Sequence, residues 1–233
     1  MKNVIIACDF QNREETMAFL ARFDGEKPYL KIGMELFYGE GPEIVREIKE
    51  AGFSVFLDLK LHDIPNTVKK AMANIARLGV DMVNVHASGT IAMMEAAREG
   101  LQMGALPGKK ISLIAVTQLT STSQEVMQRE LLIRESLEDT VAKYAQNAKA
   151  AGLNGVVCSP LEVRIVKTAC GEGFLTVTPG IRYPEGSADD QKRITTPQKA
   201  RDMGSDYIVV GRPITAASDP KTAWLQVKND FLG

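Results

Sequence analysis

The sequence predicts an α/β protein folded as one (β/α)8 TIM barrel over residues 1–233. Short β-branched runs alternate with longer amphipathic stretches from end to end, the pattern of βα units around a parallel sheet. The runs number about eight, which closes a barrel, and 233 residues lies near the usual roughly 250 for that fold. No internal repeat, low-complexity tract or Pro/Ser-rich linker marks a second domain.

The candidate strands, in order, are Val4 to Asp9, Tyr29 to Gly33, Ser54 to Lys60, Met82 to His86, Ile111 to Thr117, Gly155 to Ser159, Phe174 to Thr178 and Tyr207 to Gly211. Between them, Pro65 to Leu78 reads as a helix: Pro opens its first turn, Gly79 ends it, and Val68, Met72, Ile75 and Ala76 form an apolar face to pack on the sheet. Thr196-Pro197 supplies an N-cap and a Pro at the first helical position for a short helix that Gly204 closes before the last strand. Gln118 to Ser136 is a long polar interruption after the fifth strand, expected to be loop plus short helix near the barrel mouth.

With 45% hydrophobic residues the chain can bury a substantial core, and 28 Lys+Arg against 29 Asp+Glu gives a formal charge of −1. No global field therefore favours nucleic acid or an acidic membrane, and any anion must be gripped locally. Cys8, Cys158 and Cys170 are odd in number with no C-x-x-C spacing, which suggests reduced thiols. The apolar run of Val4 to Cys8 is too short for a signal peptide, and no segment reaches the roughly 18 apolar residues of a membrane span, so a soluble, cytoplasmic protein is expected.

Several strands are apolar until their C-terminal residues, where Asp9, Lys31, Asp58, Lys60, His86, Thr117 and Arg212 appear. Singly, each fits a solvated strand end; as a set they fall on the face where barrel catalysis is built, and charges there are partly buried and costly unless paired. In Phe56-Leu57-Asp58-Leu59-Lys60-Leu61-His62-Asp63-Ile64-Pro65-Asn66-Thr67, alternation puts Asp58 and Lys60 on one strand face and Leu57, Leu59 and Leu61 on the other. Spacing alone fits equally a strand-end salt bridge plus a helix N-cap.

Asp58-x-Lys60-x-x-Asp63 with Ile64-Pro65-Asn66-Thr67 closely resembles the signature of orotidine 5′-monophosphate decarboxylases. The likeness runs in order through Asp9, Lys31-Ile32-Gly33, Val85-His86-Ala87, Val116-Thr117-Gln118-Leu119-Thr120-Ser121, Thr178-Pro179-Gly180-Ile181-Arg182 and Val209-Val210-Gly211-Arg212. D-x-K-x-x-D alone is shared with phosphosugar decarboxylases and synthases of the same barrel superfamily; the full set is more specific.

The resemblance implies cofactor-independent decarboxylation of orotidine 5′-monophosphate to uridine 5′-monophosphate, the last step of de novo pyrimidine synthesis. It makes Lys31, Asp58, Lys60 and Asp63 an alternating charge network, with Lys60 protonating C6 and Asp58 against the departing carboxylate. It further implies a homodimer in which Asp63 and Thr67 serve the neighbouring copy's site. For the substrate it assigns Asp9 and Lys31 to the ribose hydroxyls, Thr120 to the base, and Gln191 to a bridge between phosphate and pyrimidine. Pro179, Arg182, Gly211 and Arg212 complete the binding set, the two arginines matching the usual phosphate site after strands 7 and 8. Between them, Tyr183 to Gln191 is a polar, Gly- and Pro-punctuated loop suited to close over a ligand.

With His62 and His86 the only histidines and no H-x-x-x-H spacing, a His-based metal site is not expected, and no metal or cofactor is implied. No G-x-S-x-G, P-loop or G-x-G-x-x-G appears. Two alternatives stay open: a Mg2+-dependent phosphosugar decarboxylase or synthase on the same barrel, and a non-catalytic nucleotide sensor. Relatives of the first kind place a carboxylate on the second strand as metal ligand, where this sequence has Lys31.

Overall fold

The computed structural model of the chain describes residues 2–183 and 195–233. Eight parallel strands close a barrel in sequence order: β1 (Asn3–Cys8), β2 (Tyr29–Gly33), β3 (Ser54–Leu61), β4 (Met82–His86), β5 (Ser112–Val116), β6 (Gly155–Val157), β7 (Leu175–Thr178) and β8 (Tyr207–Val210). β1 pairs with β8 to complete the ring. All eight expected runs are strands, several of them trimmed by one or two residues at their ends.

Helices cover the outside, so both strand faces are buried and the strands read as nearly continuous apolar runs. The two-residue period sorts each strand between two cores. Ile5, Ala7, Phe56, Met82, Ile114, Val177 and Val209 fill the barrel interior. Val4, Ile6, Cys8, Leu57 and Leu59 pack outward under the helices. Cys8, Cys158 and Cys170 are free and buried. Burial pushes the Cys8 thiol up to about 12, so it is inert at neutral pH.

The helix Pro65–Ala76 starts where the sequence places it and stops two residues short of the expected Leu78, and Gly79 beyond it takes a φ of 72°. It lies very close to the helix Thr90–Gly104: a Cβ added at Gly100 would collide with the Lys69 carbonyl, and one at Gly104 with that of Ala73. Thr196 caps Pro197–Asp202, its hydroxyl accepting from the Lys199 N–H. The long segment after β5 contains one short helix, Gln124–Glu130, as expected.

β3 is the irregular strand. Its register against β4 shifts between Leu57 and Leu61, and Lys60 adopts a φ of 52°. A left-handed backbone costs a non-glycine residue about 1–2 kcal/mol. Bulges of this kind re-aim side chains beside functional sites. Leu57 and Leu59 still face the outer core while Phe56 faces inward, so the alternation holds through Asp58.

The rim at the N-terminal ends of the strands is closed by two carboxylates. Asp81, just before β4, accepts from Lys49 Nζ at 2.6 Å and the Val55 N–H at 2.8 Å, and pairs with Lys109. Asp206, just before β8, accepts from Lys167 Nζ at 2.7 Å and the Thr176 N–H at 2.8 Å. No helix of the described residues is long and apolar enough to cross a membrane.

Candidate active site

At the opposite rim, the C-terminal ends of the strands surround a cavity of about 310 Å³, a size suited to a small-molecule ligand. Its floor is apolar, from Ala7, Phe56, Val116, Val157 and Val209. Above the floor, Asp9, Lys31, Asp58 and Lys60 line one side, and Pro179, Gly180, Arg182 and Gly211 the other. Gln118, Leu119, Thr120 and Ser121 complete the wall.

The charged side is one connected array. Lys31 Nζ donates to Asp9 Oδ1 at 2.7 Å and stands 3.6 Å from Asp58 Oδ2. Lys60 Nζ contacts Asp58 Oδ1 at 2.7 Å. Lys31 and Asp58 are buried, at 9% and 8% exposure, whereas the Asp9 carboxylate is half exposed. Gly33 makes room for the first pair, because a Cβ there would stand 3.0 Å from both Asp9 Oδ1 and Lys31 Nζ. Burial works to raise the Asp58 carboxyl, but the Lys31 and Lys60 ammoniums, with hydrogen bonds from Lys60 and Asn84, outweigh it and hold the group below its ordinary value. Burial likewise works to lower Lys31, and Asp58 and Asp9 more than reverse that. Both groups are therefore ionised at neutral pH.

Across the cavity, Arg182 is half-buried and held by backbone: its N–H donates to the Thr195 carbonyl at 2.9 Å and its Nη1 to the Ile181 carbonyl at 2.9 Å. Gly180, with a φ of 81°, makes the turn that presents it. The arrangement sets an array of alternating carboxylates and ammoniums on one side of the cavity against a guanidinium on the other. Among the described residues, no group of three or more His, Cys, Asp or Glu side chains is placed to hold a metal ion.

The profile of the orotidine 5′-phosphate decarboxylase / HUMPS family matches residues 2–227. The chain belongs to that family. It is 58% identical over 231 residues to the orotidine 5′-phosphate decarboxylase of Listeria innocua, covering 99% of each chain. It is 53% identical over 233 residues to that of Bacillus cereus, covering all of this chain and 98% of the other. Among solved structures, the orotidine 5′-phosphate decarboxylase of Lactobacillus acidophilus superposes with a TM-score of 0.91 at 41% identity, covering the whole of both chains.

The structure brings Asp9, Lys31, Asp58, Lys60, Thr120, Pro179, Arg182 and Gly211 to one cavity of this family member. Asp63, Thr67 and Arg212 do not line it, and all three are exposed. Asp63 accepts from the adjacent Ile64 N–H at 2.7 Å, and Ile64, with no side-chain cap, is the N-cap of the following helix. Asp63 and Thr67 instead share a neighbouring depression with Tyr38 and His62, and Lys60 borders both hollows. Gln191 and the loop from Pro184 onward lie outside the described residues. Thr117 is a structural strand end, its hydroxyl donating to the Val157 carbonyl at 2.9 Å.

Sequence reasoning gave no role to Asn84, which is 1% exposed and contacts both Asp58 and the Lys60 backbone. One signal for it exists: it is the lone amide inside the apolar run Met82-Val83-Asn84-Val85, and a buried strand amide needs partners. Gln118, 7% exposed, and Ser121 were also passed over, although both lie in a run that carries the family likeness.

Proposed function

We propose that this chain decarboxylates orotidine 5′-monophosphate to uridine 5′-monophosphate with no metal or cofactor, the last step of de novo pyrimidine synthesis, and that it works as a cytoplasmic homodimer. The observation that carries the proposal is the Asp9–Lys31–Asp58–Lys60 array at the mouth of a cavity whose far side presents Arg182. The names borne by the relatives support the same reaction.

When the bond from C6 to the carboxylate breaks, its electron pair stays on C6 and CO2 departs. No carbonyl is placed to delocalise that pair, so stabilisation must come from fixed charge and positioning. Lys60, in contact with Asp58 at 2.7 Å, faces the developing carbanion and its ammonium gives it a proton; solvent restores the ammonium. Asp58 sits against the departing carboxylate, and the repulsion is relieved as CO2 leaves. Arg182, Gly180 and Gly211 hold the phosphate, with Arg212 at the rim. Asp9 and Lys31 take the ribose hydroxyls, and Thr120 and Pro179 border the base. Gln191, outside the described residues, joins phosphate to base, so that remote binding contributes to stabilising the transition state.

The dimer reading is supported by what stays uncovered beside Lys60. Residues 62–67 form an exposed run, with Ile64 at 67% and Tyr38 at 69% exposure. Large apolar side chains in such a cluster suit burial against a second copy. In that arrangement each chain's Asp63 and Thr67 reach the neighbouring copy's cavity and extend its array.

The test is the loss of pyrimidine absorbance when EDTA-treated protein meets orotidine 5′-monophosphate. Undiminished turnover is expected. Loss of turnover in EDTA that Mg2+ restores would favour the metal-dependent reading, which the Lys31 cation opposes. Tight binding of uridine monophosphate without turnover would favour a sensor.

A further inference from the structure

Asn84 lies in the middle of β4, facing the barrel interior beneath the charge array, and both polar atoms of its amide are engaged. Its Nδ2 donates to Asp58 Oδ1 at 2.6 Å, and its Oδ1 accepts from the Lys60 backbone N–H at 2.8 Å. The opposite orientation of the amide would set N–H against N–H and carbonyl against carboxylate, so the network admits one orientation only. The Lys60 N–H needs this partner because the β3 register against β4 shifts between Leu57 and Leu61 and gives it no strand partner there. The same residue carries the left-handed φ of 52°.

One side chain thus fixes two things that β3 cannot fix alone. It holds the Asp58 carboxylate with Oδ1 toward Lys60 Nζ at 2.7 Å and Oδ2 toward Lys31 at 3.6 Å. It also anchors the bulged peptide from which the Lys60 side chain departs. We propose that Asn84 is a positioning residue for decarboxylation, setting the Asp58–Lys60 geometry through a bridge to the carboxylate of one and the peptide of the other. The inference rests on the functional reading above, and it concerns the chemical step rather than ligand affinity, since the amide lies outside the cavity lining.

Two variants test it, after turnover by the unaltered enzyme is established; no turnover there would remove the functional reading and this inference with it. Asn84→Leu keeps the branched heavy-atom outline and deletes both hydrogen bonds. Its kcat should fall on the order of 100-fold, the effect of misplacing a reacting group by about 1 Å, while the Kd for uridine monophosphate stays within about threefold. Asn84→Asp separates positioning from folding. Ionised, the new carboxylate still accepts from the Lys60 N–H but repels Asp58; protonated, its hydroxyl donates to Asp58 as the amide does. The two carboxylates facing each other hold one proton to a higher pH than either alone. The kcat of Asn84→Asp should therefore rise as pH falls through the mildly acidic range, where the unaltered enzyme shows no such gain. Near-normal kcat in Asn84→Leu, or a pH-independent loss in Asn84→Asp, would overturn the proposal; if Asn84→Leu does not fold, the pH profile of Asn84→Asp decides.

Discussion

Replacing Lys31 by methionine removes a buried cation that touches two carboxylates, and its effect on stability follows from the geometry. At 3.6 Å from Asp58, and at an effective dielectric near 20, opposite unit charges attract by about 5 kcal/mol. Part of that is offset in the native protein by the cost of burying the ammonium, so removing one of the two ammoniums that offset the buried Asp58 should cost a net of about 3 kcal/mol at pH 7. For a chain of this length that is a fall in midpoint of roughly 6–12 °C. Thermal unfolding at fixed protein concentration measures it. The pH dependence has a definite sign. Lys31 is held above its ordinary value, so its stabilising share is fully present at pH 7 and is lost only as pH rises through the folded value. Asp58 is held below its ordinary value, so its share is present above the usual carboxylate range and lost as pH falls through the folded value. In Lys31→Met the burial of Asp58 is less offset, the carboxyl takes up a proton at higher pH than in the unaltered protein, and the deficit should shrink as pH falls through the variant's folded value. Adding Asp58→Asn should recover part of the lost stability at pH 7, because the less fully offset buried charge is gone. A deficit independent of pH, or strictly additive losses in the double variant, would refute the claim that Lys31 compensates a buried anion.

Further expectations concern the opposite ends of the site and the scaffold behind it. Lys60→Ala should nearly abolish turnover while leaving uridine monophosphate binding measurable by calorimetry; near-normal turnover would remove Lys60 as proton donor. Arg182→Ala deletes a charge-assisted contact worth about 1.5–3 kcal/mol, so phosphate-bearing ligands should bind roughly 10- to 100-fold more weakly, while inorganic sulfate competes less well than with the unaltered protein. Gly100→Ala forces a methyl group into the Lys69 carbonyl and should cost about 1–3 kcal/mol of stability, read as a lowered midpoint. Ile64→Asp places a charge at the centre of the uncovered 62–67 run and should shift sedimentation toward monomer with a parallel loss of turnover; an unchanged dimer would move the interface elsewhere.

What the sequence disclosed depended on how far each feature reaches along the chain. Strand periodicity is local, so the eight strands and the shared inward face of Asp58 and Lys60 were legible from spacing alone. The Asp9–Lys31 pair joins residues 22 apart on neighbouring strands, and the Arg182 turn closes through Thr195; both needed either family likeness or the closed barrel. The bulge at Lys60 left no mark in the pattern, because Leu57, Leu59 and Leu61 continue the alternation across it. Asn84 could have been found by asking what a lone amide does in an apolar strand, but its two partners become visible only once β3 and β4 are paired.

The two rims of the barrel show why residue type alone could not separate structural from chemical charge. Asp81 and Asp206 are aspartates beside apolar strands, just as Asp58 is, and lysines approach all three. At the N-terminal rim each carboxylate also accepts from the backbone N–H of a neighbouring strand, at 2.8 Å for both Val55 and Thr176, and so is spent in tying strands together. Among the described residues no strand N–H donates to Asp58 in this way. It is held by side chains, Lys60 and Asn84, and its second oxygen faces Lys31 at 3.6 Å, too far for a hydrogen bond. A carboxylate held this way is oriented yet keeps capacity toward the cavity it lines. Rearranging that capacity during a reaction perturbs side-chain contacts and leaves the barrel ladder intact, which is what a fold must permit if buried charges are to act on a substrate and not only on the scaffold.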